Sequence, residues 1–557
     1  MIYDLFNVSN FLNFLTFGLF LISIFYYFIK ENKSVPIVSY PSYSKSGFCS
    51  WILSPFIGHS LEFWLNPKQV LVRGKEEHGD IFGLKLGINS TMVIVNSNLK
   101  KKYFSSLTRD KNNYGDAMQE GLRRVINAEN TDLYDGLFNS WHFSCLHLMI
   151  GKSKVENNTY AVLNDCIDQQ FKDLSFYDDL KILAWDIITR MSARSFVGPE
   201  IGNNEKLINV FKKFHKTVAR VLDLSQFIPD LFIKGWLFFS GNLRKDYKDM
   251  EEVIIPEVIK RRKGQWKPNI GALVKLRPEI KEKNGLKTDD IVIVTQIRDD
   301  GNISVKHPES NKDLYWFTSE DFNPNDLLQY LIQKKDKNFH SAEEISKYML
   351  SLVFASMATT AGFTNHCLCD LAGRPEMQDW LFEEQQNIIK KYPNKSRSKI
   401  ALDKCHRLGA FIWESMRLSA LPFQQARGLL SDHIIDDMKI KKGTMVMMSG
   451  ILNSRIEMDG EGPGFIDANN FNPKRFLNES GELISPEIAE KMGFFPFGVG
   501  RHICPGRFFA ISEIKLVLIG LLQKYKIRTE NGKPPDYDYQ AVSVDRKPLR
   551  VYFEVKK

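Results

Sequence analysis

Apolar residues recur with the spacing of an α-helix along most of the chain, whereas alternation of apolar and polar residues is confined to short runs. Helical spacing dominates residues 103–263 and residues 326–416. Two alternating runs, Ile81–Leu86 and residues 91–96, flank a short turn and predict a β-hairpin. Short strand and turn signals return over residues 421–449. This pattern predicts a fold that is mainly α with a small β part.

Residues 269–323 differ in character from the helical segments on both sides. They contain four short β-type runs, ALVKL, DIVIVTQI, NISVKH and LYWF, and DDGN at 299–302 is a hairpin signal between two of them. The segment is predicted to be a small all-β module, similar in texture to an SH3-like barrel, inserted in a surface loop that tolerates added length. Three interpretations stay open: a docking module for a protein partner, a passive insertion, and a stretch wrongly retained in the gene model.

An uncharged stretch lies near the N-terminus. Residues 11–29 form a run of nineteen residues without a charge, which is long enough to span a bilayer core as a helix. A cleaved signal peptide is the alternative, but no basic segment precedes the stretch and no small-residue cleavage site follows it. Lys30 and Lys33 follow the stretch, which places the residues after it in the cytosol. We therefore expect a single-pass anchor over residues 1–35 and a cytosolic catalytic domain over residues 36–557.

The composition argues against several classes of protein. The net charge is +9, from 75 basic and 66 acidic residues without a long basic run, which disfavours nucleic-acid binding. The seven cysteines form no C-x-x-C pairs, which disfavours a disulfide framework or a structural zinc site and is typical of a reducing compartment. The 40 phenylalanines indicate an interior lined by aromatic side chains, which suits a lipophilic ligand.

The stretch FFPFGVGRHICPGRFFA, residues 494–510, places one cysteine in a turn-rich and apolar setting. Gly498 and Gly500 permit a tight loop before Cys504, and Pro505 suits the first position of a following helix. A helix N-terminus beside the thiol is expected to lower its pKa and to favour the thiolate, which is the form that binds metals. Taken alone, a buried cysteine is more often a structural thiol than a ligand.

Residues 497–506, FGVGRHICPG, resemble the haem-binding loop of the cytochrome P450 superfamily. The resemblance implies a haem b cofactor with the thiolate of Cys504 as the axial iron ligand. The family usually has arginine at the position of His502; histidine there is similar to the sterol-demethylase branch, and either residue can donate to a haem propionate. The residues of this loop implied to bind the cofactor are Phe497, Gly498, His502, Cys504 and Gly506.

Further motifs of that family lie upstream in the family's order. Glu414 and Arg417 form an E-x-x-R pair, whose spacing puts both side chains on one helix face; a weak exposed surface pair is the alternative interpretation. The segment FNPKRF is similar to the family's P-x-R-F segment, which implies that Arg475 completes a buried structural network with the pair. Arg427 stands where the family commonly places a propionate-binding arginine. Trp141 fits the family's W-x-x-x-R motif as a propionate contact, although cysteine replaces the arginine of that motif.

The oxygen-activating segment is the least regular match to the family. Residues 355–360, ASMATT, resemble the family's stretch, and Thr359 is implied to be the catalytic hydroxyl that holds dioxygen and relays protons. The acid that usually precedes this threonine is missing, because Ala358 takes its place. This departure is similar to the fungal, membrane-bound, kaurene-oxidase-like members. A shifted match would use Thr364, and a hydroxyl that only bonds back to a helix carbonyl is a third interpretation.

The resemblance covers residues 41–553 and implies the cytochrome P450 fold and a haem-thiolate monooxygenase. Such an enzyme inserts one oxygen atom from O2 into a lipophilic substrate, here a terpenoid, sterol or fatty acid. The chain has no nucleotide or flavin fingerprint, so electrons are expected from a separate NADPH-cytochrome P450 reductase in the endoplasmic reticulum membrane. Two rivals stay open: a reductase-independent haem-thiolate isomerase or dehydratase acting on peroxides, and a non-catalytic haem-binding protein that works through the β module.

Overall fold

The structure of the protein is a computed structural model. It describes residues 35–38, 58–86, 90–95, 114–115, 159–225, 240, 242–268, 273–276, 291–298, 302–306, 313–317, 322–324, 326–333, 341–393, 396–429, 431–435, 438–455, 464–499, 503–540 and 543–556. Among these residues, no helix is both long enough and apolar enough to cross a bilayer. Residues 11–29 lie outside the described part, so the expected anchor stays a prediction.

Helices form most of the described structure, as the spacing of apolar residues predicts. In chain order they are α1 (Ser60–Leu65), α2 (Pro67–His78), α3 (Thr159–Gln170), α4 (Leu180–Val197), α5 (Pro199–Gly202), α6 (Glu205–Ser225), α7 (Asn242–Arg262), α8 (Leu327–Gln333), α9 (Ala342–Ala372), α10 (Pro375–Lys391), α11 (Lys399–Asp403), α12 (His406–Leu418), α13 (Gly450–Ser454), α14 (Pro486–Met492) and α15 (Arg507–Lys524). A 3₁₀-helix spans Pro473–Phe476. One continuous hydrophobic core includes side chains of α3, α4, α6, α7, α9, α12 and α15.

The longest of these helices, α9, runs through that core over 31 residues. Its start is fixed by a capping box: the Ser341 hydroxyl accepts from the Glu344 amide, and the Glu344 carboxylate accepts from the Ser341 amide. Just after its end, Gly373 packs closely against Pro534. A Cβ atom added to Gly373 would lie 2.1 Å from the Pro534 backbone nitrogen, so only glycine fits there. A helix enclosed on most sides has to be apolar around most of its circumference, and the sequence of α9 meets this requirement.

Short strands surround the helical core. They are β1 (Ile81–Leu86), β2 (Ser90–Val95), β3 (Tyr114–Gly115), β4 (Phe176–Tyr177), β5 (Leu273–Leu276), β6 (Ile291–Ile297), β7 (Ile303–Lys306), β8 (Asp313–Phe317), β9 (Phe322–Pro324), β10 (Gln425–Leu429), β11 (His433–Ile435), β12 (Met438–Ile440), β13 (Met445–Met448), β14 (Tyr525–Thr529), β15 (Tyr537–Tyr539), β16 (Val544–Arg546) and β17 (Val551–Val555). The mainly α composition with a small β part is therefore confirmed.

The strands outside the insert form four small sheets. The largest has the order β1-β2-β13-β10-β3, with β2 and β13 parallel and the other pairs antiparallel. A second sheet has the order β14-β17-β4, while β11 pairs with β12 and β15 pairs with β16. The predicted hairpin is confirmed by the antiparallel register of β1 and β2, in which Ile81 pairs with Val95 and Leu86 with Ser90.

Strands β5 to β9 belong to the predicted insert and form a separate antiparallel sheet with the order β8-β7-β6-β5-β9. This sheet has a hydrophobic cluster of its own, distinct from the main core. The cluster consists of Trp266, Val274, Val292, Val294, Ile303, Val305 and Phe317. The segment is thus a β-sheet, while its assignment as an SH3-like barrel stays a prediction.

Buried contacts hold the two ends of the insert against the helices. Arg261, near the end of α7, donates to Asp326 at 2.7 Å and to the Val197 carbonyl at 3.1 Å. The side chains of Arg261 and Asp326 are 1 % and 6 % exposed. Trp266 packs into the insert's cluster, and its indole N–H donates to Glu200 at 3.1 Å. Because Arg261 precedes the insert and Asp326 follows it, this ion pair brings the two ends together.

The geometry of the ends predicts that the insert can be removed without unfolding the catalytic domain. Val274 of β5 pairs with Pro324 of β9, so the chain enters and leaves the sheet side by side. Replacing residues 269–323 by a Gly-Ser linker of about six residues, together with Trp266→Gln, should preserve the helical circular dichroism spectrum, because a short loop can bridge neighbouring strand ends.

The matched control for this deletion is Arg261→Gln in the full chain, which keeps the insert and breaks the ion pair. We expect it to lower the free energy of unfolding by roughly 3–5 kcal/mol, because it leaves Asp326 as a buried unpaired charge. If the shortened chain loses its helical spectrum while Arg261→Gln retains it, the insert is part of the domain core.

Candidate functional site

Main-chain hydrogen bonds close the cysteine loop on itself. The Cys504 amide donates to the Phe497 carbonyl at 2.9 Å, and the Gly498 amide donates to the Phe495 carbonyl at 2.9 Å. Gly498 has a φ of 77°, which lies in the left-handed region that favours glycine. The loop therefore needs glycine at 498, as the sequence predicts. Residues 500–502 lie outside the described part, so the role of His502 stays a prediction.

The Cys504 thiol lies between opposing electrostatic influences. Burial raises its pKa, whereas the backbone amides of Gly506 and Arg507 and the Arg507 guanidinium favour the thiolate. The amides at the helix start act in the expected direction, but burial prevails and the pKa of the thiol is raised. A thiolate at this position needs a further positive partner, and a metal ion bound to the sulfur is such a partner.

Helix α15 follows the cysteine directly. It starts at Arg507 with Gly506 as its N-cap, two residues after Pro505. The Arg507 guanidinium donates to the Cys504 carbonyl at 2.9 Å, which ties the first turn of the helix to the loop. From residue 512 to residue 522 every position of α15 is buried. The cysteine loop is therefore attached to a helix that is fixed within the core.

A buried acid lies on α15 two to three turns after the cysteine. The Ser192 hydroxyl of α4 donates to Oε1 of Glu513 at 3.0 Å. Among the described residues, Oε2 of Glu513 has no hydrogen-bond partner. Burial raises the pKa of Glu513 well above its usual 4.5. The carboxyl group therefore keeps its proton to a higher pH than a free glutamate does, and it forms a polar contact between α4 and α15.

Glu414, Arg417 and Arg475 come together in one buried network. Arg417 donates from Nε and Nη2 to the two carboxylate oxygens of Glu414, each at 2.8 Å. Arg475 donates from Nε to Glu414 at 3.2 Å, and the Asn472 amide donates to the same carboxylate at 2.7 Å. The side chains of Glu414 and Arg417 are 0 % exposed. The geometry therefore differs from that of a weak exposed surface pair.

The two arginines of this network also bind main-chain carbonyls. Arg417 donates to the carbonyls of Ser454 and Ala468 at 2.7 Å and 2.6 Å. Arg475 donates to the Ile466 carbonyl at 2.6 Å. The network thereby ties α12 to the segment around residues 464–476, which includes the 3₁₀-helix. It organises backbone that has no regular secondary structure to hold it.

In the middle of helix α9 an accessible strip is made by Ala355, Thr359 and Gly362. Ala355 and Thr359 are exposed, although Met357 between them and Ala361 after them are buried. A Cβ atom added to Gly362 would meet no atom within 4 Å. The three positions are four and three residues apart and so lie on one face of the helix. We call this face the open strip.

Thr359 lies on the open strip, and the alternative Thr364 does not. The Thr359 hydroxyl donates to the Ala355 carbonyl at 3.3 Å, as a hydroxyl bonding back along its helix does. Thr364 is fully buried and its hydroxyl donates to the Thr360 carbonyl at 2.7 Å. Only the first of these two hydroxyls can reach a ligand beside α9, which favours Thr359 over the shifted match.

The remaining predicted site residues are placed only in part. Arg427 lies in β10, where it pairs with Val446 of β13, and nothing is described of its side chain. Trp141 lies outside the described residues, as does His502, so both propionate contacts stay predictions. Helix α9, which carries Thr359, packs against helix α15, which follows Cys504 in the chain.

Sequence reasoning missed a second buried charge cluster. Asp370 at the end of α9 accepts from Arg546 of β16 at 2.5 Å and from Ser415 of α12 at 2.6 Å. Arg374 also donates to Asp370, at 2.7 Å. The charged partners Asp370 and Arg546 are 176 residues apart in the chain. Spacing along the sequence carries no signal for such a pair.

The described residues fit a haem held through a cysteine. Among the described cysteines, Cys504 is the only one that is partly exposed, since Cys166, Cys367, Cys369 and Cys405 are buried. The Cys405 sulfur already donates to the Ala401 carbonyl and accepts from Gln385. The Cys504 sulfur faces backbone amides that stabilise a thiolate, and α9 offers an open strip beside which a flat group has room. This combination is typical of helical haem-thiolate proteins.

Comparison with known sequences agrees with this class. The sequence model described as "Cytochrome P450" matches residues 51–554. The chain belongs to the cytochrome P450 family, and its cofactor is accordingly haem with a cysteine thiolate ligand. In fold, the chain is similar to the retinoic acid bound cyanobacterial CYP120A1, with a TM-score of 0.61 and 16 % sequence identity over 94 % of this chain and 100 % of that chain.

Curated relatives come from fungi and from a slime mould. Cytochrome P450 monooxygenase 71 of Postia placenta is 30 % identical over 209 residues, 37 % of this chain and 41 % of the relative. The cytochrome P450 monooxygenase terQ of Tolypocladium album is 26 % identical over 363 residues, which are 63 % of this chain and 54 % of the relative. Probable cytochrome P450 517A1 of Dictyostelium discoideum is 30 % identical over 237 residues, which are 42 % of this chain and 45 % of the relative. The chain thus spans about half the length of these relatives, and the fungal ones agree with the resemblance to fungal members.

The raised pKa of Glu513 makes the stability of the protein depend on pH. Above about pH 4.5 the unfolded chain releases the Glu513 proton and the folded chain keeps it. Stability therefore falls as the pH rises from about 4.5 toward the raised pKa of the folded state, by up to about 1.4 kcal/mol per pH unit. Glu513→Gln keeps the contact with Ser192 and removes this loss. Its advantage over the unsubstituted protein should therefore grow as the pH rises above about 4.5, as measured by urea unfolding at two pH values above 4.5.

Glu554→Gln is the control for this measurement, because Glu554 forms an exposed pair with Arg528 in which the side chains are 57 % and 55 % exposed. Its unfolding curves should follow those of the unsubstituted protein at both pH values. Parallel curves for Glu513→Gln as well would show that Glu513 is ionised in the folded state.

Proposed function

We propose that the protein is a haem-thiolate monooxygenase in which Cys504 is the axial iron ligand. The observation that carries the proposal is the setting of the Cys504 sulfur. It faces the amides of Gly506 and Arg507 just before a helix fixed in the core, and the residue that carries it is partly exposed. When bound there, haem with a thiolate ligand activates dioxygen after two-electron reduction and supplies an oxidant for unreactive C–H bonds.

Thr359 is the hydroxyl that would act on a small ligand beside α9. Its side chain is exposed on the open strip, and its one described hydrogen bond, to Ala355, is 3.3 Å long. The hydroxyl can exchange this bond for one to a small ligand and can hold or pass a proton at Oγ1. Ala358 beside it cannot ionise, so the proton has to reach Thr359 by a route other than a neighbouring acid.

The substrate is a lipophilic molecule, and the electrons come from an NADPH-cytochrome P450 reductase. Two of the relatives described above are named monooxygenases, which supports oxygen insertion. The small side chains of the open strip leave space for an apolar ligand beside α9. A terpenoid, a sterol or a fatty acid fits this chemistry. Docking to the reductase would use the side of the protein that carries the cysteine loop.

The protein is attached to the endoplasmic reticulum membrane by residues 1–35, with its catalytic domain in the cytosol. The support is the nineteen-residue uncharged run over residues 11–29 and the lysines that follow it. A chain lacking residues 1–35 should move from the membrane pellet to the soluble fraction after alkaline carbonate extraction. Retention of the shortened chain in the pellet would contradict the anchor.

The competing function is rearrangement of peroxides without a reductase. The missing acid at Ala358 is compatible with it, because such a reaction needs no delivered protons. The accessible hydroxyl of Thr359 favours the monooxygenase, since a reaction on peroxides has no use for a group that handles protons beside dioxygen. A monooxygenase requires NADPH and the Thr359 hydroxyl, whereas peroxide rearrangement requires neither.

Replacing Cys504 tests the ligand assignment. We expect Cys504→Ala to abolish the red-shifted Soret band of the reduced carbon monoxide difference spectrum, because no other described cysteine is partly exposed. Cys405→Ala is the matched control, and it should retain the band because the Cys405 sulfur is occupied by Ala401 and Gln385. A band that survives Cys504→Ala, or that disappears only with Cys405→Ala, would contradict the assignment.

Replacing Thr359 tests the reaction class. With a substrate found in a panel of terpenoids, sterols and fatty acids, Thr359→Ala should lower the product formed per NADPH by about tenfold and release hydrogen peroxide instead. Thr364→Ala is the control, and it should leave this ratio unchanged because its hydroxyl is buried against Thr360. Peroxide conversion that needs no NADPH and is unaffected by Thr359→Ala would establish the isomerase. Loss with Thr364→Ala alone would establish the shifted match.

A further inference from the structure

Glu513 is a buried carboxyl group to which the proposed function gives no role. It is 0 % exposed on α15, and its one hydrogen-bond partner among the described residues is the Ser192 hydroxyl, which donates to Oε1 at 3.0 Å. Two other carboxylates with no exposure, Glu414 and Asp370, are bound by arginines instead. Glu513 therefore lacks the cation that normally keeps a buried carboxylate charged.

The position of Glu513 relates it to the cysteine. It lies on the helix that starts just after Cys504, six residues beyond the first helical residue, Arg507. At 1.5 Å per residue, Glu513 is about 9 Å from Arg507 along the helix axis and about 13 Å from Cys504. A charge at Glu513 is therefore near enough to influence a charge at the cysteine sulfur.

The contact between α4 and α15 on the cysteine side of Glu513 is apolar. Phe509 lies one turn before Glu513 on the same helix face, and its ring stacks on that of Phe196 of α4 with centroids 5.7 Å apart. Both phenylalanines are buried. Because such packing excludes water, a charge at Glu513 is only weakly screened toward the cysteine.

The other titratable groups around α15 have partners of their own or stay uncharged. Helix α15 contacts α3, α9, α10, α12 and β14, in addition to the contacts with α4. The bound groups are Asp165 with Arg194, Asp370 with Arg546, Glu414 with Arg417, Glu384 with the Arg407 and Leu408 amides, Lys515 with the Leu402 and Cys405 carbonyls, and Tyr525 with the Phe171 carbonyl. Burial raises the pKa of the thiols Cys166, Cys367, Cys369 and Cys405, so they stay protonated. None of these groups influences the pKa of Glu513, which burial raises and the Ser192 hydroxyl lowers.

We propose that Glu513 takes up a proton when the haem held by Cys504 is reduced, and that it thereby couples the reduction potential of the site to pH. The inference rests on the proposed function, because it needs an iron bound at Cys504. For each electron that the reductase delivers, the Glu513 carboxylate gains one proton from solvent and becomes a carboxylic acid, so the net charge of the site is unchanged. Glu513 acts through its charge and touches neither iron nor substrate.

The sign of the coupling follows from the charges. A negative charge at Glu513 favours the oxidised site, because that site carries one more positive charge than the reduced site. The reduction potential therefore falls as the pH rises through the pKa of Glu513, and by reciprocity reduction strengthens proton binding at Glu513 by the same factor. At about 13 Å and an effective dielectric constant of about 20, this factor is about tenfold.

The first experiment measures the reduction potential of the haem-loaded full chain from about pH 5 to about pH 9 by spectroelectrochemical titration. The curves of the unsubstituted protein and Glu513→Gln should coincide at the acid end. With rising pH the unsubstituted protein should fall below Glu513→Gln, until their reduction equilibrium constants differ by about tenfold, or about 59 mV for one electron.

Glu554→Gln is the control for the potential, because Glu554 is 57 % exposed and its charge is screened by solvent. Its curve should follow that of the unsubstituted protein. Curves of the unsubstituted protein and Glu513→Gln that stay parallel over the whole range would overturn the proposal. An equal rise of the potential in Glu554→Gln would overturn it as well.

The second experiment observes the proton itself by infrared difference spectroscopy. A protonated carboxyl group has a carbonyl stretch that a carboxylate lacks. At a pH where the two potential curves have separated by half of their final gap, reduction of the unsubstituted protein should increase this band. The increase should be absent from Glu513→Gln and present in Glu554→Gln. An increase that persists in Glu513→Gln would overturn the assignment of the proton to Glu513.

A variant of the partner residue tests the same coupling with Glu513 in place. Ser192→Ala removes the hydroxyl that stabilises the carboxylate, so it should move the fall of the potential to higher pH by about one unit. Ser195→Ala is the matched control on α4, because the Ser195 hydroxyl donates to the Met191 carbonyl at 2.9 Å, and it should leave the curve unchanged. A fall that stays in place or moves to lower pH in Ser192→Ala would contradict the proposal.

Failure of this inference and failure of the proposed function have different signs. If Cys504 is not the iron ligand, the reduced carbon monoxide spectrum of the unsubstituted protein lacks the red-shifted Soret band. If Glu513 is not coupled to reduction, that band is present while the potentials of the unsubstituted protein and Glu513→Gln run parallel.

Discussion

The described fold depends on keeping the buried carboxylate of Glu414 paired. A carboxylate with no exposure is stable only if its charge and all of its acceptor positions are satisfied. Arg417 satisfies it with two hydrogen bonds, and Arg475 and the Asn472 amide complete the set. Because the two arginines also bind the carbonyls of Ser454, Ile466 and Ala468, the same carboxylate orders the backbone at these positions. The chain continues from there through α14 to the cysteine loop.

The neighbouring residue on the same helix joins a second buried cluster. Ser415 follows Glu414 and donates to Asp370, which pairs with Arg546 and Arg374. Helix α12 therefore connects the Glu414 network to the Asp370 cluster, which includes Arg546 of β16. Both clusters fix the relative placement of elements that hydrophobic packing alone would leave less specified. The open strip of α9 lies in the space that these fixed elements leave.

The cysteine illustrates how a local signal and its environment can oppose each other. The glycine at 498, the loop and the helix after residue 506 follow from short sequence patterns, and the structure has all three. The pKa of Cys504 does not follow from them, because burial outweighs the amides that the helix start provides. Burial is a property of the assembled core. For the same reason Glu513 looks like an ordinary surface residue in the sequence but is enclosed between α4 and α15 with a raised pKa.

The sequence by itself determined the helical character, the β1–β2 hairpin, the β nature of residues 269–323 and the E-x-x-R pair. Each of these is encoded by neighbours within a few residues, so spacing alone reveals it. Only the tertiary structure decided that Thr359 is accessible while Thr364 is enclosed, and that Arg261 meets Asp326 at the ends of the insert. It alone also decided that Arg546 pairs with Asp370, 176 residues away. Such contacts depend on how helices pack, and the free energy of burying a charge is defined only once its partners have been brought to it.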